Sequence, residues 1–379
     1  MRIIADTKIP FAAQAFSALG EVCLVDHREL TPKRIEKCDI LLTRSETRVD
    51  ETLLSGSAVK FVGSPTSGVD HISTEYLASR NIGFASAPGG NARSVAEYIL
   101  AALLSVSQFK KETLRGKTLG LVGFGNIGKI VAEMADTLKM EVLLNDPPLR
   151  QFSESSRFVE LNEICDADYV STHVPLTRFG EFSTFHLFDK IILNKLRPDC
   201  VLINSSRGSV VDNRALLSVL KKNKRMISVL DVWENEPEID FELLNAITIG
   251  TPHIAGYSWD GKIAGTRMVF EAASRFFDIE ACFPRHFGVA HEPICWSSNN
   301  DIEAGLREVV PRFYDIMKDH KSLQMIKAAR KRGSFFADLR KKYPIRRQFS
   351  SRKIKIKSAI PETEHTLKGL GFCIEKTNF

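Results

Sequence analysis

Short apolar runs bounded by glycine, proline and polar clusters recur along the chain, and between them apolar side chains return every three to four residues. The runs at 3–5, 40–43 and 61–63, and then at 118–122, 141–146, 169–173, 201–204, 227–231 and 248–250, predict strands. Helical spacing at 10–19, 95–106, 129–138 and 260–279 predicts helices. Strands that alternate with helices are buried on both faces, so the expected class is α/β with doubly wound parallel sheets. In such sheets ligands bind beyond the carboxyl ends of the strands. Candidate chemistry is therefore sought in the loops there.

The strand at 118–122 runs directly into Gly123-Phe-Gly125-Asn126-Ile127-Gly128 and then into a helical pattern. A strand, a G-x-G-x-x-G turn and a helix in this order predict a dinucleotide site. Gly123 permits the tight turn, Gly125 lets the backbone approach the pyrophosphate, and Gly128 allows close packing of helix on strand. The next strand ends in Asp146, 18 residues after Gly128, where a carboxylate binds the adenosine ribose hydroxyls. A carboxylate there argues for NAD over NADP.

At 379 residues the chain exceeds what one core serves, and two or three domains are expected. The longest apolar run, near 98–106, is too short to span a bilayer. The N-terminus opens on a strand-like run without a secretory pattern, so a cytoplasmic protein with no membrane partner is expected. Seven cysteines are scattered without a C-x-x-C, which argues against a disulfide framework and a metal site. The net charge of +6 is uneven, because residues 281–379 carry about 20 Lys and Arg against about 10 Asp and Glu. No nucleic-acid motif accompanies the basic clusters. A solvated face or contacts to a phosphate-bearing small molecule are the two readings, and the pair Arg346-Arg347 is the candidate for the second.

Three further loops carry candidate catalysis: Asn204-Ser205-Ser206-Arg207-Gly-Ser-Val-Val-Asp212, Leu230-Asp231-Val-Trp-Glu-Asn-Glu236-Pro237, and Thr251-Pro-His253-Ile-Ala-Gly256. In order and spacing they resemble the Arg, Glu and His loops of the D-isomer-specific 2-hydroxyacid dehydrogenases. The resemblance implies that His253 is the acid/base at the substrate C2 hydroxyl, that Glu236 orients it, and that Arg207 holds the substrate carboxylate. The chemistry agrees. A carboxylate on an imidazole sets its tautomer and stabilises the imidazolium, and a guanidinium matches a planar carboxylate in a forked geometry. It also implies NAD contacts at Gly123, Gly125, Asn126, Ile127, Gly128, Asp146, Val174, Ser205, Ser206, Arg207, Asp231 and Gly256. Val174 lacks the hydroxyl often found at its position.

On the flanks the similarity extends over nearly the whole chain to members acting on a small phosphorylated 2-hydroxy acid. The segments around Ser45 and Thr66 and the Tyr257 that follows the His loop carry it, and they imply substrate contacts at those three residues. A C-terminal extension including Tyr343-Pro-Ile-Arg346-Arg347 is similar to a dimerisation domain and implies a homodimer. The expected architecture is a discontinuous flavodoxin-like substrate domain (1–92 and 257–281), a Rossmann-type NAD domain (93–256) and an α+β dimerisation domain (282–379). Another dehydrogenase of the family, or a cofactor-sensing protein that uses the fold as a scaffold, remains a reading of the same residues.

Overall fold

The computed structural model describes residues 1–284, 292–297, 301–357 and 361–377. The chain divides into two compact units: Met1–Asn91 with a second segment that begins at Ser258, and Ala92–Tyr257 with the C-terminal part.

The first unit is built on five parallel strands, β1 (Arg2–Asp6), β2 (Glu21–Val25), β3 (Ile40–Leu42), β4 (Phe61–Gly63) and β5 (Gly83–Ala85), in the order β2-β1-β3-β4-β5. This is the flavodoxin-like order. Alternation sends Ile3, Ala5, Ile40, Leu42 and Phe61 to one face, against Val269, Phe270 and Ala273 of the helix Trp259–Phe276. Ile4, Leu41 and Val62 fill the other face. Ser258 caps that helix by accepting the Gly261 amide at 2.9 Å. The amphipathic run at 10–19 forms only a short helix, Ala12–Phe16, because Ser17 to Gly20 turn the chain into β2. The strands β2 and β5, absent from the sequence reading, are the two edges of the sheet and are only partly buried, which weakens their apolar signature.

The second unit holds β6 (Thr118–Val122), β7 (Glu141–Asn145), β8 (Tyr169–Thr172), β9 (Val201–Asn204), β10 (Ile227–Leu230) and β11 (Ile249–Gly250), all parallel, in the order β11-β10-β9-β8-β6-β7. Beside β7 the next strand of a Rossmann half is reduced to one bridge, Leu144 to Phe158. With that bridge counted, six positions follow the Rossmann order, β11 adds one strand beyond β10, and the order reverses between β6 and β8. Leu119, Leu121, Tyr169, Val201 and Ile203 pack toward the helices Ala92–Lys110 and Asn126–Thr137. Val122, Val170 and Leu202 pack toward Lys190–Lys195, Asn213–Lys222 and Phe241–Ala246.

The C-terminal part contributes β12 (Ile294–Cys295), β13 (Lys353–Lys357) and β14 (Cys373–Thr377), paired in parallel, and the helices Ile302–Val309, Ile316–Gln324, Arg332–Lys341 and Pro361–Gly369. Its Leu306, Val309, Phe349, Ile354, Leu367 and Phe372 share one continuous core with Leu100 and Leu119. Charge marks this stretch as distinct in sequence, while apolar burial joins it to the nucleotide sheet. Among the described residues no helix is long and apolar enough to cross a membrane.

Candidate active site

At the switch point between β6 and β8 the glycines have different jobs. Gly123 sits at φ 97°, and a Cβ there would lie 2.7 Å from the His173 carbonyl, so only glycine fits. A Cβ on Gly128 would lie 2.2 Å from the Gly123 oxygen, which fixes how closely the helix meets the turn. Gly125 faces open space, leaving its backbone approachable. The helix Asn126–Thr137 starts there, with Asn126 exposed and Ile127 half-buried, so its first amides face the turn's open side. Asp146 is held against the turn: its carboxylate accepts the Phe124 amide at 2.8 Å and caps the helix Pro147–Arg150 through the Leu149 amide at 3.2 Å.

Two buried polar side chains at this end lack hydrogen-bond partners, the Ser205 hydroxyl and both ring nitrogens of His173. Burial pushes the His173 pKa down to about 3, so the ring is neutral. Orphaned groups beside an open, amide-lined turn are what a polar cofactor would satisfy, and Asp146 suits ribose hydroxyls; the residues fit NAD. Sequence reasoning passed over His173 and took its neighbour Val174, which is half-buried and whose methyl closes on the Gly123 turn.

The catalytic candidates come from the loops that follow β9, β10 and β11. Asn204, fully buried at the end of β9, accepts from the Ser206 amide at 3.1 Å and the Ser206 hydroxyl at 2.9 Å, and its own amide donates to the Arg207 carbonyl at 3.0 Å. The Ser206 hydroxyl is thereby engaged in building the loop. Arg207 is half-buried, with Nη1 on the Ser206 carbonyl at 2.9 Å. The loop then passes Gly208, where a Cβ would lie 2.0 Å from the Trp233 carbonyl; this close approach sets the Arg loop against the Glu loop. A second brace joins them: Glu234 accepts the Asn213 amide at 3.0 Å and pairs with His186 Nε2 at 2.7 Å. His186, Asp212 and Glu234 form a cluster with metal-ligand spacing among the described residues, but these contacts are those of a loop brace.

Asp231 organises the His loop. It is 1% exposed and accepts the Thr251 hydroxyl at 2.6 Å, the Ile254 amide at 2.8 Å and the Ala255 amide at 2.9 Å. Its own carbonyl takes the His253 amide at 2.7 Å, and His253 stands at φ 57°. So held, His253 Nδ1 meets Glu236 Oε2 at 2.7 Å, while the Trp233 amide donates to Glu236 Oε1 at 2.7 Å. Burial raises the Glu236 pKa, but His253, the Trp233 amide and the charge of Arg340 together hold it below the ordinary carboxylate value. The carboxylate is ionised at neutral pH, and the imidazole keeps Nε2 for other work. An imidazole paired with a carboxylate, with an arginine-bearing loop set against the same loop, is an arrangement that could serve acid/base chemistry on a hydroxy acid.

Residues 95–255 match the D-isomer specific 2-hydroxyacid dehydrogenase, NAD binding domain family. The erythronate-4-phosphate dehydrogenase of Chromohalobacter salexigens is 39% identical, over 99% of both chains. That of Escherichia coli O81 is 39% identical over 93% of both. This chain belongs to the erythronate-4-phosphate dehydrogenases, within the D-isomer specific 2-hydroxyacid dehydrogenase family. Among solved structures, the TT0316 protein of Thermus thermophilus is 26% identical with a TM-score of 0.62, and the match covers 99% of that chain but 75% of this one. The C. salexigens relative, by contrast, is matched over nearly the whole of this chain.

The other dehydrogenase candidates lie as follows. Gly256 is half-buried, one residue beyond Ala255. In the first unit, Ser45 is exposed just beyond β3, and Thr66 bonds to the Gly68 carbonyl at 2.8 Å and to Ser64 at 2.9 Å beyond β4. In the second unit Tyr257 is half-buried, and its hydroxyl accepts from Arg340 Nη2 at 3.2 Å. Arg346 lies against the main chain. It is 5% exposed, with Nη1 on the Ala255 carbonyl at 3.2 Å, Nη2 on the Ser94 carbonyl at 2.6 Å and its guanidinium 3.9 Å from the Tyr314 ring centre. Two of its guanidinium nitrogens thus engage main-chain carbonyls, one of them in the His loop, while Nε has no hydrogen-bond partner among the described residues. Arg347 beside it is half-buried.

Proposed function

We propose that this enzyme oxidises 4-phospho-D-erythronate at C2 to (R)-3-hydroxy-2-oxo-4-phosphobutanoate with NAD, a step of pyridoxal 5′-phosphate synthesis. The observation that carries the reading is the 2.7 Å His253–Glu236 pair, in a chain that aligns end to end with erythronate-4-phosphate dehydrogenases. His253 Nε2 takes the proton of the C2 hydroxyl, and Glu236 stabilises the imidazolium that results. Arg207 pairs with the substrate carboxylate and so presents C2 to the base. Bound NAD supplies the nicotinamide that accepts the hydride from C2. Gly123, Gly125, Asn126, Ile127 and Gly128 cradle its pyrophosphate, Asp146 its ribose, and Val174, Ser205, Ser206, Asp231 and Gly256 border the rest, with the buried orphans His173 and Ser205 given partners when the site fills. Ser45, Thr66 and Tyr257 contact substrate.

Turnover of a panel of 2-hydroxy acids, with and without a terminal phosphate and with either cofactor, tests the proposal. We expect 4-phospho-D-erythronate with NAD to give the highest kcat/KM. NADP should be poorer, since its 2′-phosphate would meet Asp146 as a like charge at a cost of about 1 to 4 kcal/mol. Equal use of NADP, or no oxidation of any hydroxy acid by a protein that binds NAD, would overturn the reading. We further propose that residues 282–379 form a homodimer interface in a cytoplasmic enzyme; a monomeric mass at working concentration would overturn the dimer.

A further inference from the structure

The helix Arg332–Lys341 belongs to the C-terminal part of the chain, yet it meets residues that directly follow the Glu and His loops. Phe336 is fully buried in the core that contains Trp233 of the Glu loop, and Phe335 and Leu339 pack on the same core. Near the helix start Arg332 stacks on Phe241 at 3.8 Å, and Gly333 lies against the Glu238 carboxylate, two residues past Glu236. At the helix end Arg340 reaches Tyr257, four residues past His253: Nη2 is 3.2 Å from the phenol oxygen and the guanidinium 5.7 Å from the ring centre. Tyr343 closes the other side of Tyr257 edge-on, with centroids 6.0 Å apart, and is itself tied to Asp319 at 2.7 Å.

Packing of Phe335, Phe336 and Leu339 fixes the helix, and the contact with Tyr257 sets where the half-buried Arg340 places its charge. That place borders the His253–Glu236 pair, where Arg340 helps to hold the Glu236 carboxyl in its ionised form. Arg346, six residues on, is occupied by main-chain carbonyls. We propose that Arg340 is a specificity residue of the active site: its guanidinium, presented with the Tyr257 hydroxyl, pairs with the phosphate of the substrate, so the C-terminal segment completes the site of its own chain. The inference rests on the reading that the substrate is a phosphorylated hydroxy acid. A guanidinium pairs with phosphate through two parallel hydrogen bonds, and a hydroxyl beside it adds a third.

The test compares KM and kcat for 4-phospho-D-erythronate and for D-erythronate in the full-length enzyme and its Arg340→Met, Arg340→Lys and Tyr257→Phe variants. We expect Arg340→Met to raise KM for the phosphorylated acid at least about ten- to a hundredfold, which is the effect of losing a single charged hydrogen bond. KM for D-erythronate should move less than about threefold, and Arg340→Lys should recover part of the loss. Tyr257→Phe should raise the same KM by a smaller factor. Melting temperatures separate this from unfolding, since a structural role would weaken both substrates together. A wild-type enzyme with no preference for the phosphorylated acid would overturn the functional reading and this inference with it. A wild type that prefers it, beside an Arg340→Met variant that keeps the preference or that fails on both acids equally, would overturn this inference alone.

Discussion

The loops that follow β9, β10 and β11 and the C-terminal stretch are both crowded with charged side chains, and they handle charge in opposite ways. In the loops the charged groups are buried or half-buried, and key ones are fixed by neighbours close in sequence or in the next loop: Asp231 by three donors of the His loop, and Glu236 by Trp233 and His253. The C-terminal stretch instead holds exposed pairs along helices, such as Arg312 with Glu308 at 3.0 Å. Arg346 and Arg340 are exceptions, one buried on main-chain carbonyls and the other turned toward Tyr257. The lesson is that a run of basic residues carries no single meaning. What each arginine does is decided by the surface it lands on, while the loop residues carry their partners with them.

That contrast can be broken or sharpened by substitution. In the loops, Glu236→Gln keeps the shape and removes the charge; kcat should fall by about two to four orders of magnitude with NAD affinity unchanged, checked by steady-state kinetics and cofactor titration. The same carboxylate sets a pH limit. Its pKa is lowered in the folded protein, so the stabilisation it contributes is complete above the unfolded carboxylate value near pH 4.3 and is lost as pH falls through the folded value. Acid unfolding followed by circular dichroism should show wild type losing stability relative to Glu236→Gln over that window, and parallel curves would contradict the ionised pair.

In the C-terminal stretch, Arg346→Ala should cost about 2 to 4 kcal/mol of stability by denaturant unfolding, because two buried charge-assisted bonds and the packing on Tyr314 go together. A loss under about 1 kcal/mol would mean that the guanidinium is replaceable there. The smallest effect is expected at Arg312→Ala, within about 0.5 kcal/mol, as for other exposed i,i+4 pairs.

How much of this was legible in the sequence follows the same divide. The strands β1, β3, β4 and β6 to β11 stand out as apolar runs because most of their side chains are buried, and the glycine turn and the three loops are short segments whose geometry is set locally. Partly exposed strands are harder. The strands β2 and β5 are partly exposed, and the third strand of the nucleotide half has shrunk to the Phe158 bridge. Long-range placements had no local signal at all: Arg340 meets Tyr257 from 83 residues away, Arg346 meets Ser94 from 252, and nothing in the basic clusters distinguishes those two arginines from Arg347 or Lys342. His173 carried a weak signal, as a histidine at the end of a buried strand, but its lack of partners appears only in the fold.

The central claim is that the His253–Glu236 pair removes the C2 hydroxyl proton of a phosphorylated hydroxy acid as hydride passes to NAD. Its most direct test is the rate of NADH formation from 4-phospho-D-erythronate by wild type and by His253→Ala, with NAD binding measured in both. The account predicts turnover in wild type, a loss of about two to four orders of magnitude in the variant, and equal NAD affinity. Near-normal NADH formation by His253→Ala would contradict it.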